Sequence, residues 1–239
     1  MLDSLGDRIK RYEEVSKLKL VNRMPVIIRL DGSSFHTYCK KFNRPFDEDL
    51  SLVFKEVCKK LINTIQGAKF CYRQSDEISI LLMSYKNITT GSWFDNNLQK
   101  IVSISSSICT AHFNYYIMNN LQGDSLTKLT TPIAYFDSRA FNIPENDVTN
   151  YFIWRQRDAI RNSIQALGQS YFSQKELYGL SQLDIKNKLL SEKGICWEHL
   201  PIEYQRGFCV INNTLALHIP IFSENRNYIE NVIKNNLPD

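Results

Sequence analysis

The order of the apolar segments in the first 140 residues is the feature that most limits what this chain can fold into. A short apolar strand is followed by an amphipathic helix, two short strands, a second long helix and one more strand. The predicted strands are Pro25–Leu30, Lys69–Tyr72, Ile78–Met83 and Ile133–Phe136, and the predicted helices are Leu50–Ile65 and Leu98–Met118. This βαββαβ order predicts an α+β, ferredoxin-like fold, with helices covering one face of an antiparallel sheet.

The segments outside this pattern are mainly helical. A charged amphipathic helix is predicted at Leu5–Lys19, before the first strand. The second half predicts a helix at Asp147–Leu167, one or two helices within Gln174–Glu192, and a final hairpin of Gly207–Ile211 and Thr214–His218. We therefore expect residues 1–239 to form a single unit, with a core at about 1–140 and a helical and strand appendage at about 141–239.

Composition and charge narrow the function without deciding it. The chain has 239 residues, of which 43% are hydrophobic and 23% charged, and its formal net charge is +4. A mildly basic chain is compatible with a polyanionic partner but does not require one. We see no transmembrane segment or signal peptide, so the expected location is cytoplasmic, with no membrane partner. The cysteines and histidines lack zinc-ligand spacing, and P-loop, dinucleotide-binding and hydrolase-triad motifs are absent from the sequence.

The predicted topology places two aspartates at one edge of the sheet. Asp31 follows the first strand, and Asp76 lies in the tight turn between the second and third. The first and third strands are neighbours in this topology, so the two carboxylates should converge. Taken singly, each acid is more often ordinary turn chemistry. Their joint placement favours a Mg²⁺ site, because magnesium prefers oxygen ligands and serves phosphoryl chemistry.

Two groups of basic and polar side chains can each be explained in two ways, as a solvated surface or as a binding surface. The loop after the first strand is either a basic surface loop or a phosphate-binding loop, and it contains His36, Lys40, Lys41 and Arg44. The helix after Asp147 presents either a solvated charged face or a nucleic-acid surface next to Trp154. Its side chains at helical spacing are Arg155, Asp158 and Asn162, with Arg157 and Arg161 on an adjacent stripe.

Several sequence blocks resemble the tRNA-His guanylyltransferase family and its tRNA-repairing relatives, the 3′-5′ RNA polymerases. The first two blocks are IIRLDGSSFHTYCKKFNRPFD and YRQSDEISILL. The similarity continues, in the same order, through YFDSRAF, WRQRDAIRNSIQAL and YQRGF. The resemblance implies a polymerase-type palm as catalytic core, two bound Mg²⁺ ions, ATP or GTP and tRNA as substrates, and a homotetramer.

The resemblance also assigns roles to individual residues. The metal ligands are expected to be Asp31, the backbone carbonyl of Gly32, and Asp76, and Glu77 is expected to support the same catalytic site. The residues matching positions near the nucleotide are Arg29, His36, Arg44 and Ser75, with Arg44 standing where a lysine is common. The candidates for contact with tRNA or a second nucleotide are Arg139, Arg155, Arg157, Asp158, Arg161 and Asn162.

The chemistry implied by the resemblance has two stages. A 5′-monophosphorylated tRNA is activated by nucleotidyl transfer from ATP or GTP, and the 3′-hydroxyl of an incoming nucleoside triphosphate then attacks the activated phosphate. Eukaryotic members carry His-Ile-Asn-Asn where this chain has Ile160-Arg161-Asn162-Ser163. This departure resembles the short bacterial or archaeal members, which repair tRNA 5′ ends against the opposite strand as template. The alternative is a dedicated enzyme that adds one 5′ guanosine to tRNA-His.

Two other classes share the predicted strand order. Nucleotide cyclases place acids at the same strand positions, but their glycine-rich hairpin is missing from this sequence. A non-catalytic RNA-recognition module needs aromatic residues on its central strands for base stacking. Val26-Ile27-Ile28 and Ile78–Leu82 contain none. A 5′-end nucleotidyltransferase is therefore the expected function.

Overall fold

The computed structural model describes residues 4–120 and 133–237, and its strands form one antiparallel sheet. The strand order across the sheet is β4-β1-β3-β2-β5-β6. The strands are β1 Val26–Ser33, β2 Ala68–Gln74, β3 Glu77–Leu82, β4 Tyr135–Asn142, β5 Phe208–Ile211 and β6 Thr214–Ala216. The predicted βαββαβ order is confirmed, with β1 and β3 as central neighbours.

The helices are interleaved with these strands and include several that are short. They are α1 Leu5–Glu14, α2 Phe35–Tyr38, α3 Glu48–Thr64, α4 Leu98–Asn120, α5 Glu145–Tyr171, α6 Gln174–Leu177, α7 Gln182–Lys193, α8 Ile202–Arg206 and α9 Asn227–Lys234. The predicted first helix was too long, because Lys19 is already extended and bridges Asn97. Asp47 caps α3 by accepting a hydrogen bond from the backbone N–H of Leu50 at 2.9 Å.

One face of the sheet packs against α3 and α4. Ile28 and Leu30 of β1 point to this side and contact a cluster of interlocking rings. Phe54 of α3 and Phe113 of α4 are fully buried there, with their ring centroids 5.1 Å apart. This packing fixes the two helices to the sheet edge at which β1 ends.

The opposite face of the sheet is covered by the C-terminal part of the chain. Ile27, Phe70 and Leu81 point to this side and pack against Phe152 of α5 and Ile229 of α9. The prediction that helices cover one face holds for the βαββαβ core, whose helices α3 and α4 pack on the first face. The strands bury apolar side chains on the second face as well, and α5 and α9 of the C-terminal part cover it.

The last strand of the predicted core begins and ends later along the chain than expected, and it is longer. The sequence prediction ended it at Phe136, whereas β4 continues to Asn142 along the full length of β1. After the buried Phe136 its residues are exposed or half-buried, as on an edge strand, so this part of β4 has no strong apolar signal in the sequence. Asp137 and Arg139 are consequently strand residues beside β1 and do not belong to a turn.

The part of the chain after α5 builds a smaller core of its own and also extends the main sheet. Leu167 of α5, Ile185 of α7 and Trp197 are buried together. β5 pairs with β2, and β6 is shorter than the predicted Thr214–His218. Within the described ranges, no helix has the length and apolar character needed to cross a bilayer.

Candidate active site

β1 carries the first predicted metal ligand to the edge of the sheet. Asp31 lies opposite Asp137 of β4, one residue beyond the last β1–β3 pair, Leu30 and Ile78. The next residue, Gly32, lies against the ring of Phe35, and an added Cβ would come within 2.2 Å of that ring. A glycine is therefore needed at this point for β1 to pass directly into α2.

The second predicted ligand lies in the turn between β2 and β3. Gln74 pairs with Glu77, so Ser75 and Asp76 alone form the turn. Ser75 has a φ of 49°, in the left-handed region that favours glycine, and its hydroxyl donates to the carboxylate of Asp76 at 2.9 Å. The tight turn holds Asp76 at the same edge as Asp31, as the sequence predicted.

Negative charge accumulates around Asp31. Burial raises the pKa of the Asp31 carboxyl above its usual range, and the charges of Asp76 and Asp137 raise it further. Arg139 and Arg29 oppose this shift. Because burial and two nearby carboxylates disfavour the charged form of Asp31, a cation bound at this edge would stabilise the ionised carboxylate.

Glu77 is buried and joined to α5. Its carboxylate accepts a hydrogen bond from the Nε of Arg155 at 2.8 Å, and Arg155 also donates to Asp158 at 2.7 Å. The hydroxyls of Ser79 and Tyr151, 2.8 Å apart, extend the network beneath it. Burial raises the pKa of Glu77, although the Arg155 charge opposes the shift. The ion pair fixes α5 relative to the acidic edge.

Two concave regions meet at the Ser75–Asp76 turn. The first, here called the acidic cleft, has a volume of about 480 Å³ on the α5 side of the sheet. It is lined by Arg29, Asp31, Gln74, Ser75, Asp76, Glu77, Trp154, Arg155, Asp158 and Asn162. Trp154 is exposed and stacks on Arg155, whose guanidinium carbon lies 4.2 Å from the ring centroid.

The second region, here called the α3 cavity, has a volume of about 530 Å³ on the α3 side. His36 and Arg44 line it together with the shared turn residues Ser75 and Asp76. Phe46 and Tyr204 form a stacked pair on its wall, with ring centroids 4.7 Å apart. The structure thus gathers the predicted nucleotide residues His36, Arg44 and Ser75 on one rim, while the fourth, Arg29, lies in the acidic cleft.

The residues predicted to contact tRNA separate into buried and exposed sets. Arg155 is only 6% exposed and lies behind the acidic cleft. Arg157, Arg161 and Asn162 are on the exposed side of α5, where Arg161 also pairs with Asp158. Arg139 is exposed on β4 and pairs with the carboxylate of Asp137 at 3.0 Å. A surface contact with RNA is therefore available to the second set without rearrangement.

Sequence reasoning missed two residues at this site. The predicted strand ends at Phe136, just before Asp137, and only the full length of β4 places Asp137 opposite Asp31. The sequence predicts Arg73 in the connection between the second and third strands, whereas it lies on β2 and lines the α3 cavity. The available signal for Arg73 was a charged residue in a strand that is otherwise buried, which is rare without a functional or electrostatic partner.

The donors at this edge fit a magnesium ion. Within residues 4–120 and 133–237, no group of three or more histidine, cysteine, aspartate or glutamate side chains forms a metal-binding cluster. Asp31 and Asp76 would therefore need the Gly32 carbonyl and oxygens of a substrate or water to complete the coordination. An incomplete, all-oxygen site is typical of magnesium that is shared with substrate phosphates.

Comparison with known proteins gives a consistent result. The family model for tRNAHis guanylyltransferase matches residues 6–144. A bacterial tRNA(His) guanylyltransferase (Thg1)-like protein, solved in complex with ATP, is 47% identical with a TM-score of 0.91, covering 96% of this chain and 99% of that one. A second such structure, in complex with GTP, is 44% identical with a TM-score of 0.83, covering 97% and 99%.

A curated relative supports the same assignment over most of the chain. The tRNA(His) guanylyltransferase of Kluyveromyces lactis is 26% identical over 83% of this chain and 87% of its own length. The shared fold and the matched family model set aside the cyclase and RNA-module alternatives. The chain belongs to the tRNAHis guanylyltransferase family and is a nucleotidyltransferase.

Proposed function

We propose that this protein repairs the 5′ end of tRNA by template-dependent, 3′-5′ addition of nucleotides. The observation that carries the proposal is that Asp76 lies in a turn shared by two concave regions, with Asp31 beside it in the acidic cleft. Nucleotidyl transfer joins two phosphate-bearing substrates, so it needs one anionic, metal-binding edge that both can reach. The Ser75–Asp76 turn belongs to both regions and supplies such an edge.

Each region suits one substrate. In our proposal the α3 cavity holds a nucleoside triphosphate, with His36 and Arg44 donating to its phosphate oxygens. The acidic cleft then holds the 5′ end of the tRNA beside Arg29. Arg157 and Arg161 lie outside this cleft on α5, where they can contact the RNA backbone. Solved relatives in complex with ATP and with GTP support a nucleoside triphosphate as substrate.

The residues proposed to hold Mg²⁺ are Asp31, Asp76 and the carbonyl of Gly32. When bound, magnesium would neutralise phosphate charge and favour the deprotonated form of an attacking hydroxyl. Glu77, fixed by Arg155, adds negative charge behind these ligands. The pKa of Asp31 is raised by burial and by neighbouring acids, so a bound cation would favour its ionised form.

Template dependence is proposed from the position of the eukaryotic His-Ile-Asn-Asn motif. Here Ser163 is buried, donates to the Tyr204 carbonyl at 2.6 Å and accepts from the Trp197 indole at 3.0 Å. Ile160 is half-buried and packs on the same small core. Two of the four positions thus serve packing in this chain, which leaves Watson–Crick pairing with the facing strand to select the incoming nucleotide.

The proposed substrate is any tRNA with an incomplete acceptor stem, and tRNA-His is one case among them. The family resemblance also implies a homotetramer in the cytoplasm, which we keep as part of the proposal. The mass of the purified protein in solution tests the first of these two statements.

The direct test uses a tRNA that lacks its first nucleotide, together with Mg²⁺ and all four nucleoside triphosphates. We expect the tRNA to be extended at its 5′ end by the wild-type protein and not by Asp76→Asn. The matched control is Asp147→Asn, an exposed acid at the start of α5 that lines neither region. Failure to extend any tRNA in the presence of Mg²⁺, by a folded wild-type protein, would refute the proposal.

A further inference from the structure

Arg73 is a buried cation in the wall of the α3 cavity. It lies on β2, between Ile78 of β3 and Phe208 of β5, and its side chain is 7% exposed. The guanidinium carbon lies 4.3 Å from the ring centroid of Phe54 and 5.6 Å from that of Phe208. Both neighbouring strands hold its backbone, so the guanidinium is presented to the cavity from a rigid position.

One nitrogen of this guanidinium, Nε, lacks the hydrogen-bond acceptor that a buried arginine normally has. This atom is shielded from solvent and has no hydrogen-bond partner among the described residues. The carboxylate of Glu203, on the same cavity wall, accepts a hydrogen bond from the Ser51 hydroxyl at 2.6 Å and forms an ion pair with the Lys55 ammonium at 2.8 Å. Burial lowers the pKa of Arg73, because the charged guanidinium is less stable away from water. Ring stacking does not supply the missing acceptor.

A purely structural role explains this arrangement poorly. An apolar side chain would pack between Phe54 and Phe208 without desolvating a charge. An arginine is favoured there if a ligand brings acceptors into the cavity, because guanidinium donors form a planar fork that binds two acceptors at once. The ligand is then a molecule with two adjacent acceptor atoms on a flat edge, or an anion.

Different parts of the α3 cavity lining suit these two kinds of ligand group, the anion and the flat edge with two acceptors. Its polar rim contains Ser75 and Asp76 with the exposed side chains of His36 and Arg44, which suits phosphates. Part of its lining is aromatic, where Phe42, Phe46, Phe54 and Tyr204 accompany Arg73. Aromatic side chains suit the flat base of a nucleotide far better than its triphosphate.

We propose that Arg73 binds the O6 and N7 atoms of a guanine base in the α3 cavity, so that this cavity takes GTP in preference to ATP as the activating nucleotide, while the template strand still selects the nucleotide that is added. The inference rests on the proposed function, because it takes a nucleoside triphosphate as the occupant. Guanine presents two adjacent acceptors to an arginine fork, whereas adenine presents an amino donor in place of O6. The same contact therefore attracts one base and repels the other.

The test compares the dissociation constants of GTP, ITP, ATP and inorganic tripolyphosphate, measured by calorimetry. ITP shares the O6 and N7 acceptors of GTP, and tripolyphosphate has no base. The wild-type protein should bind GTP and ITP about 5- to 150-fold more tightly than ATP. In Arg73→Met this preference should disappear, so that GTP and ATP have about equal dissociation constants. The dissociation constants of ATP and tripolyphosphate should change less than about twofold from wild type. Arg73→Lys, which retains the charge without the fork, should also lose most of the preference.

Three results would overturn the inference. Equal weakening of all three nucleotides and of tripolyphosphate would make Arg73 a phosphate contact. A GTP preference that is absent in the wild type, or unchanged in folded Arg73→Lys, would show that the base is read elsewhere. Arg226→Met is the matched control, since this exposed arginine pairs with Glu230 and Asn150 far from the cavity lining.

The two proposals fail in distinguishable ways. If 5′ addition is observed and Arg73 does not affect base preference, only the assignment of Arg73 is refuted. If mononucleotide binding shows the Arg73-dependent preference and no tRNA is extended, only the proposed reaction is refuted.

Discussion

Replacement of Arg155 by methionine removes the cation that neutralises Glu77 inside the protein. The two side chains are 7% and 10% exposed, and their ion pair is 2.8 Å long. Methionine retains much of the apolar stem, so the principal loss is the charge and its hydrogen bonds. Breaking a buried ion pair by removing one partner costs about 3–5 kcal/mol, because the remaining charge is left uncompensated. For a domain of this size that loss corresponds to a melting temperature lower by about 6–20 °C.

The deficit should depend on pH in a defined direction. Burial already raises the pKa of Glu77, and Arg155 opposes that increase. A carboxyl whose folded pKa exceeds its unfolded pKa contributes stability below the unfolded pKa, and this contribution is lost as the pH rises through the folded pKa. Removing Arg155 raises the folded pKa further. The melting temperature of Arg155→Met should therefore be closer to that of the wild type at pH 5 than at pH 8.

Thermal unfolding followed by circular dichroism at both pH values provides the measurement. The double variant Glu77→Gln/Arg155→Met is the control, because it removes both charges of the pair. It should recover at least about half of the loss seen in Arg155→Met. A loss below about 1 kcal/mol, or a deficit that does not change with pH, would contradict the view that this ion pair is buried and fixes α5 to the acidic edge.

Three further predictions concern separate parts of the chain. Asp31→Asn should reduce nucleotide addition at least about 100-fold without lowering the melting temperature, since it removes a charge that is disfavoured by burial and by the nearby carboxylates, the two causes that raise the pKa of Asp31. Kinetics and thermal unfolding test this. The double change Arg157→Ala/Arg161→Ala should weaken tRNA binding and reduce the salt slope by about 1–2, measured by filter binding at several salt concentrations. Gly207→Ala should destabilise far more than Gly179→Ala. Both have positive φ, but only the first Cβ would meet a carbonyl, at 2.2 Å; urea unfolding compares them.

The parts of the fold that could be predicted are those with a local signal. The order of the apolar strands and helices predicts that β1 and β3 pair, and that pairing brings Asp31 and Asp76 together. The helical spacing in α3 and its Asp47 cap are equally local features. These signals survive because burial on a sheet or helix face imposes a fixed period on the sequence.

The parts that could not be predicted depend on contacts between distant segments. β4 is an edge strand with exposed and half-buried residues, so its length and the position of Asp137 follow only from its pairing with β1. The burial of Arg155 requires the placement of α5 on the second face of the sheet. On the sequence alone, a helix with alternating charges is better explained as solvated, and only the contact with Glu77 reverses that reading.

The central claim is that the facing strand of the tRNA, and not the protein, selects the nucleotide to be added. The most direct measurement uses two tRNAs that lack the first nucleotide and differ only in the opposing template base, followed by identification of the nucleotide added. The account predicts G opposite C and C opposite G, on tRNAs other than tRNA-His, with addition ending when the stem is complete. Addition of G opposite A, and of G whatever the template base, would contradict it and support a dedicated tRNA-His guanylyltransferase.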